Sequence, residues 1–406
     1  MDPTIQKQTR IDVLDLIRGV AVLGILAMNI QAFSMPFAAY SNPTVYGDLT
    51  GINLLTWQIQ HLVFDQKFMS IFSILFGVGV MIFIDNVAKR EVNPAVRHYS
   101  RMLWLLLFGA IHAFLIWWGD ILMLYSVSGM LLYNFKDAKN KTLVIWIIAL
   151  LAILSLVQLS QGFAFQVMTE EEIQKDILPF WDPAKEVITA EIIAYNGSWL
   201  DAFNQRTQQT AILQPYLLFT LPKILALNLI GVLMYRTGFI TGRFNNSQYI
   251  GLGLLLIVMG SYLTFTGMTN NLAVDFDYTY SMAFGIQYNY WGSLLVACGY
   301  ISLLMLFARN VTNILITRWL ANVGKMAFTN YIAESLICTF IIYGHGLALF
   351  GELERYQQGL FVLAVWLLLI VTTNLWLQRY QQGPLEWLWR SLTYQSIVPI
   401  KKQVTK

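Results

Sequence analysis

Charge is scarce in this chain: only 12% of its 406 residues are Asp, Glu, Lys or Arg, while 57% are hydrophobic. A soluble domain carries about 25% charged residues, so the sequence predicts an integral membrane protein. Cysteine is nearly missing. Cys298 and Cys338 both lie in apolar runs, which excludes an exterior disulfide framework and a CxxC-type metal cluster. The formal net charge of +3 is small and dispersed, so no nucleic-acid partner is expected. Strict alternation of apolar and polar positions is also absent, as in Leu143 to Leu159, and a transmembrane β-barrel needs it. No Gly-x-Ser-x-Gly elbow, Walker loop, kinase set or zinc spacing occurs, and no metal site is expected. The first apolar run is preceded by Asp12, Asp15 and Arg18 and is followed by no A-x-A site. It reads as a retained helix, not a cleaved signal peptide.

What remains is a series of apolar runs of about 20 residues, the length that crosses a bilayer as a helix. The expected fold is an all-α polytopic bundle of ten spans at 12–34, 68–86, 102–118, 120–135, 142–161, 214–235, 248–266, 288–308, 326–344 and 359–378. Lys and Arg concentrate in alternate connections. Lys7 and Arg10 precede the first span, Lys89, Arg90, Arg97 and Arg101 follow the second, and Lys136, Lys139 and Lys141 follow the fourth. Arg236 and Arg243, then Arg309, Arg318 and Lys325, then Arg379, Arg390, Lys401 and Lys402 continue the pattern. By the positive-inside bias these connections and both termini are cytoplasmic. Residues 1–161 and 214–406 read as two transmembrane halves, separated by an exterior insertion of short amphipathic helices at 162–213. Asn196-Gly197-Ser198 within it has the form of a glycosylation sequon. Gly383 to Arg390, rich in tryptophan, reads as an interfacial anchor helix.

Polar side chains inside a membrane are expensive and mark functional candidates. Arg18 opens the first apolar run and Asn29 sits deep in it, eleven residues on, or about 16 Å along a helix. His112 lies in the outer half of the third span, with Asp120 at its outer turn. A desolvated histidine suits general-base chemistry and a carboxylate can fix its tautomer, although eight residues along one helix is too far for a direct pair. The plainer role for His112 is a hydrogen bond between helices. His61 and Asp65 are an i, i+4 pair before the second span; a water-facing ion pair explains them as simply. His345 reads as a loop residue. In the ninth span Asn330/Glu334 and Tyr331/Ser335 form an i, i+4 polar stripe. Glu334 and Lys223 reach similar depths from opposite faces and are expected to pair or to bond through water. Gly77-Val78-Gly79 reads as helix packing.

The segment Arg10-Ile11-Asp12-Val13-Leu14-Asp15-Leu16-Ile17-Arg18-Gly19-Val20-Ala21, with Met28-Asn29 after it, resembles the opening of the YeiB-like membrane proteins (DUF418). The likeness continues through Lys67-Phe68, Ser70 to Gly77, His112 to Asp120, Gly324 to Tyr331 and Gly383 to Arg390. The N-terminal half is also similar to the transmembrane acyltransferase superfamily, which includes heparan-alpha-glucosaminide N-acetyltransferase. That resemblance implies an active-site role for Asn29 and a catalytic histidine shortly before the second span. His61 is close to that position but lacks the flanking Trp-Asn-Gly, which leaves His112 as its rival.

By the resemblance, the chain is expected to move an acyl group from cytosolic acyl-CoA, acetyl-CoA foremost, to a saccharide, lipid-linked or small-molecule acceptor at the exterior face of a bacterial-type inner membrane. Arg10 and Arg18 would meet the donor phosphates. His112 or His61, with Asp120, would deprotonate the acceptor, and Asn29 would donate to the developing oxyanion. The rival is a transporter or flippase in which Lys223, Asn330, Tyr331, Glu334, Ser335 and His112 line a pathway. A third reading is a membrane sensor that binds through 162–213. The bilayer is the expected partner, and a homodimer is a further expectation.

Overall fold

A computed structural model describes residues 13–90, 93–310 and 314–402, with the backbone of 3–12 continuing the first helix. Apolar segments in lipid must satisfy their backbone groups internally, and among the described residues the regular structure is helical, with one isolated bridge between Tyr380 and Lys401. It is an all-α, multi-pass membrane bundle. Seven helical segments are long and apolar enough to cross: Val13–Ser34, Gly51–Ala88, Pro94–Ile116, Asn140–Ala164, Asn246–Ala273, Tyr278–Asn310 and Arg355–Arg379. The other three expected spans differ. Residues 214–235 divide between Trp199–Leu218 and Leu221–Arg236, bent by 58° at the break. Leu122–Phe135 and Ala327–Ile342 are shorter apolar helices, and a helix of about 15 residues covers only about 22 Å. These two therefore stop short, and the connection Trp117–Ile121 lies within the protein. Trp117 and Asp120 in it are buried.

We label the helices used below α1 (Pro3–Ser34), α2 (Gly51–Ile59), α3 (Lys67–Ala88), α4 (Pro94–Ile111), α5 (Leu122–Leu132), α6 (Asn140–Ala164), α7 (Lys185–Asn196), α8 (Trp199–Leu218), α9 (Leu221–Arg236), α10 (Asn246–Ala273), α11 (Ile286–Asn310), α12 (Leu315–Lys325), α13 (Ala327–Ile342), α14 (Arg355–Arg379) and α15 (Pro384–Tyr394). The core gathers where α3 crosses α9, around Ile71, Ile74, Leu75, Leu227 and Leu229. Gly77 faces the Asn228 backbone and Gly231 faces the Ile74 carbonyl so closely that a methyl at either position would overlap it. The expectation of packing thus holds for Gly77, whereas Gly79 faces open space. The outer helices turn apolar side chains outward, such as Ile145, Ile148 and Leu156 on α6 and Val258, Tyr262 and Phe265 on α10. Those are the lipid-facing surfaces of a bundle.

At the basic end, Arg18 and Arg390 lie close enough to Arg101 for their charges to act on it. Arg101 stacks over Trp389 at 3.9 Å, and Trp389 Nε1 donates to the Arg101 carbonyl at 2.8 Å. The terminal helix α15 is more than the expected anchor. Its Glu386 carboxylate accepts the Phe328 and Thr329 N–H groups at 2.7 and 3.0 Å, so it caps α13, whose first N–H groups have no intrahelical partner.

At the opposite end a polar layer covers the bundle. Arg355, with no solvent exposure, donates to Gln31 Oε1 and to the carbonyls of Pro43 and Tyr46 at 2.9 to 3.1 Å. The Asn196 amide donates to Phe350 O at 2.8 Å and accepts from Phe350 N at 3.1 Å, so the sequon asparagine is a clamp between α7 and the loop before α14. Glu191 accepts the Phe37 N–H at 3.0 Å and Gln209 Nε2 at 2.6 Å. Burial pushes its carboxyl up to about 7, against the hydrogen bonds from Gln209 and Phe37 that pull it down.

Two outcomes follow. Gly231→Ala is expected to lower stability by about 1–3 kcal/mol through overpacking, read as the melting temperature in detergent, while Gly79→Ala leaves it unchanged. Glu191 keeps its proton in the folded state over a range where the unfolded chain has lost it, so stability falls as pH rises between about 4.5 and about 7. Thermal unfolding across that range should show the decline, and Glu191→Gln should flatten it.

Candidate functional site

The third span does not end as a regular helix. After Ile111, residues His112–Ile116 form a π-helical turn and Trp117 is extended, so the chain leaves the helix inside the bundle and Asp120 folds back. The expected separation of His112 and Asp120 assumed one straight helix, and the structure corrects it: His112 Nδ1 and Asp120 Oδ1 are 2.8 Å apart. The other carboxylate oxygen accepts the Met123 N–H at 2.9 Å, at the start of α5. An ionised carboxylate only accepts, and opposite a neutral ring this assigns the proton to Nδ1 and leaves Nε2 as an acceptor. Ser335 Oγ lies 2.9 Å from Nε2 and 3.3 Å from its alternative acceptor, the Tyr331 carbonyl on its own helix. Asp120, His112 and Ser335 thus form one buried relay, joining α4, the Trp117–Ile121 connection and α13.

Breaking a helix in an apolar setting strands carbonyl groups, and each needs a donor. Those donors come from one stripe of α8. Arg206 Nε reaches Phe114 O at 3.1 Å, Thr210 Oγ reaches Ala113 O at 2.9 Å, and Gln214 Nε2 reaches Asp120 O at 3.2 Å. They stand at i, i+4 and i+8. That spacing is visible in the sequence as Arg-x3-Thr-x3-Gln and is the signal by which these supporting residues could have been found.

Aromatic rings wall the relay. Tyr331 lies 5.1 Å from the His112 ring and Trp117 lies edge-on to it at 6.3 Å. Phe33 stacks on Trp117 at 4.0 Å, and Asn29 is one turn before Phe33 on the same face of α1. Asn29 is half-buried and makes no hydrogen bond among the described residues. The Trp117 Nε1–H is buried and has no acceptor among them. Sequence reasoning passed over this donor.

The other candidates separate. Arg18 pairs with Asp15 at 2.7 Å and stays at the basic end; the side chain of Arg10 lies outside the described residues. Lys223 and Glu334 do not pair, contrary to expectation. Lys223 Nζ donates to Gln66 Oε1 at 2.6 Å, because α9 enters the bundle beside the start of α3. Glu334 is buried on α13, with its Oε1 unpartnered among the described residues. Asn330 accepts from Thr373 at 3.0 Å and donates to Val323 O at 3.0 Å, tying α13 to α14 and α12. His345 is a half-buried loop residue. His61 does pair with Asp65, at 3.2 Å, but the pair does not face water as expected. Asp65 is buried and accepts Asn289 Nδ2 at 2.6 Å, since the turn through Gln66 directs it inward. His61 belongs to this second cluster, and the His112 relay is separate from it. Among the described residues no group of acidic, cysteine or histidine side chains could hold a metal ion.

Residues 234–396 match the family model DUF418, described as a protein of unknown function. The chain is 31% identical to the uncharacterized protein YeiB of Escherichia coli (strain K12) over 396 residues, 95% of this chain and 97% of that protein. It is 29% identical to the uncharacterized protein YxaH of Bacillus subtilis (strain 168), covering 99% of this chain and 98% of that one. An uncharacterized 39.9 kDa protein of Bacillus acidopullulyticus shares 26% identity over 98% of both. The DUF418 match includes Ser335 but neither His112 nor Asp120; the full-length relatives align with both halves.

Asp120→Asn replaces an acceptor with a donor facing either His112 Nδ1–H or Met123 N–H. It is expected to cost about 1–3 kcal/mol, the penalty of an unmatched buried group, and the melting temperature in detergent measures it.

Proposed function

Because the chain belongs to the YeiB-like (DUF418) family of membrane proteins, whose members compared above carry no activity in their descriptions, we propose a function from its own residues: acyl transfer from cytosolic acyl-CoA, with acetyl-CoA as the first donor to test, to an acceptor hydroxyl or amine at the exterior face of a bacterial inner membrane. The observation that carries this reading is the Asp120–His112–Ser335 relay. A carboxylate on Nδ1 and a hydroxyl on Nε2 is the arrangement that activates serine for acyl transfer on unrelated folds.

In this reading His112 takes the Ser335 proton as Oγ attacks the thioester carbonyl. The C–S bond breaks, and the CoA thiol leaves with the proton that His112 returns. The acceptor then attacks the serine ester while His112 removes its proton and gives it back to Ser335 Oγ. The Asn29 amide and the Trp117 Nε1–H are the donors offered to the oxyanion in both steps. The donor phosphates meet the basic end, where Arg18, Arg101 and Arg390 cluster, the end read as cytoplasmic from its Lys and Arg. Saccharide, lipid-linked and small-molecule acceptors all meet the chemistry.

The test uses purified full-length protein and acetyl-CoA radiolabelled in the acetyl group, scoring hydrolysis and transfer. His112→Ala and Ser335→Ala are expected to lower turnover by about 10²–10⁴, the usual worth of a base and its nucleophile, and Asn29→Ala by about 10²–10³. His61→Ala leaves turnover close to wild type. Equal turnover in all four variants overturns the site, and absence of acetyl-CoA binding overturns the enzyme in favour of a transporter.

A further inference from the structure

The cluster around His61 holds more positive charge than it balances. Lys67 opens α3 and Lys223 sits near the start of α9, and both are buried, 0% and 4% exposed. Each lies within electrostatic reach of Asp65, and Lys223 also feels Lys67. Their hydrogen-bond partners are neutral. Lys67 Nζ donates to His61 O at 2.7 Å and Asn289 Oδ1 at 2.8 Å, while Lys223 Nζ donates to Gln66 Oε1 at 2.6 Å and rests over the Tyr290 ring at 4.6 Å. Asp65 is the one carboxylate acting on the two lysines among the described residues, and its Oδ2 is engaged by Asn289 and His61. Two ammonium groups and one carboxylate leave an excess of one positive charge, before any protonation of His61.

Such an excess is costly in a membrane interior unless a counter-charge meets it. The backbone is shaped to hold the cations in place. Gln66 adopts the left-handed conformation at φ +60°, uncommon for a residue with a side chain, and this turn aims the His61 carbonyl at Lys67 and the Gln66 amide at Lys223. An ammonium has three donors; Lys67 uses two on protein oxygens and Lys223 one, so N–H donors remain on both. We infer that Lys67 and Lys223 together bind an oxyanion, a carboxylate or a phosphate group, reached from the side where His61 meets the surface. Free small anions and the phosphate of an anionic lipid headgroup share this chemistry. The site is independent of the acyl-transfer reading, since neither lysine belongs to the His112 relay.

The experiment follows the melting temperature of the purified full-length protein while inorganic phosphate or acetate is titrated at constant ionic strength. A parallel arm compares nanodiscs of phosphatidylcholine with and without phosphatidylglycerol. The expected result is a saturable rise of several degrees with a free anion, or with phosphatidylglycerol if the headgroup is the source, lost in K67Q and in K223Q. D65N raises the excess charge to two, so the midpoint concentration should fall about tenfold. Should D65N fail to fold, Q66E sets a second carboxylate on the Lys223 ammonium, where Gln66 Oε1 already accepts, and should abolish the rise. No rise in either arm, a rise in K67Q and K223Q equal to that of the wild type, or an unchanged response in both D65N and Q66E overturns the inference.

Discussion

A helix that stops inside a membrane protein must hand its stranded carbonyl groups to other donors, and the architecture around residues 112–121 depends on that handover. Arg206, Thr210 and Gln214 supply it from one stripe of α8. Without them the π-helical turn and the buried connection after it would expose unmatched backbone at the cost of several kcal/mol per group. With them the chain can reverse, and the reversal brings Asp120 onto His112. The polar layer over this end is therefore structural in origin, and the position of His112 rests on it.

Two polar groupings occupy the same half of the bundle and are built on opposite electrostatic plans. The relay of Asp120, His112 and Ser335 is a chain of directed hydrogen bonds in which each atom has one assigned role. Around Lys67 and Lys223 the hydrogen bonds are as short, but the partners are neutral oxygens and the sign of charge dominates. Low local dielectric strengthens both. In the first it strengthens hydrogen bonds between fixed partners; in the second it magnifies an imbalance. Tyr125, hydrogen-bonded to Ser73 at 3.0 Å on α3 and close to Tyr331 on α13, stands between them.

Much of the fold is legible in the sequence, because long apolar runs in lipid have only one way to satisfy their backbone. All ten runs form helices among the described residues, and seven are long and apolar enough to cross on their own. The runs at 120–135 and 326–344 were readable as apolar but not as short, since hydropathy does not register where a helix breaks. The same limit governs the site. His112, Asp120 and Ser335 were each recognisable as costly residues, and their meeting was not, because a separation of eight residues has meaning only once the path between them is known. Lys223 and Glu334 show the converse limit: a reading of depth carries no information on which face of the bundle a helix occupies, and Lys223 meets Gln66 instead. His61 and Asp65 are paired as their spacing suggested, and only the turn at Gln66 decides that they look inward.

The hold of Glu386 on the first turn of α13 also fixes an order of events in the life of the chain. Proteins are made from the N-terminus, and Glu386 leaves the ribosome after the helix it caps. Until it arrives, the helix that carries Ser335 stands in the bilayer with its leading N–H groups uncapped and its position against His112 unpinned. The cap is thus added after every residue of the relay has been made, and a chain that stops before Glu386 carries those residues on an uncapped helix.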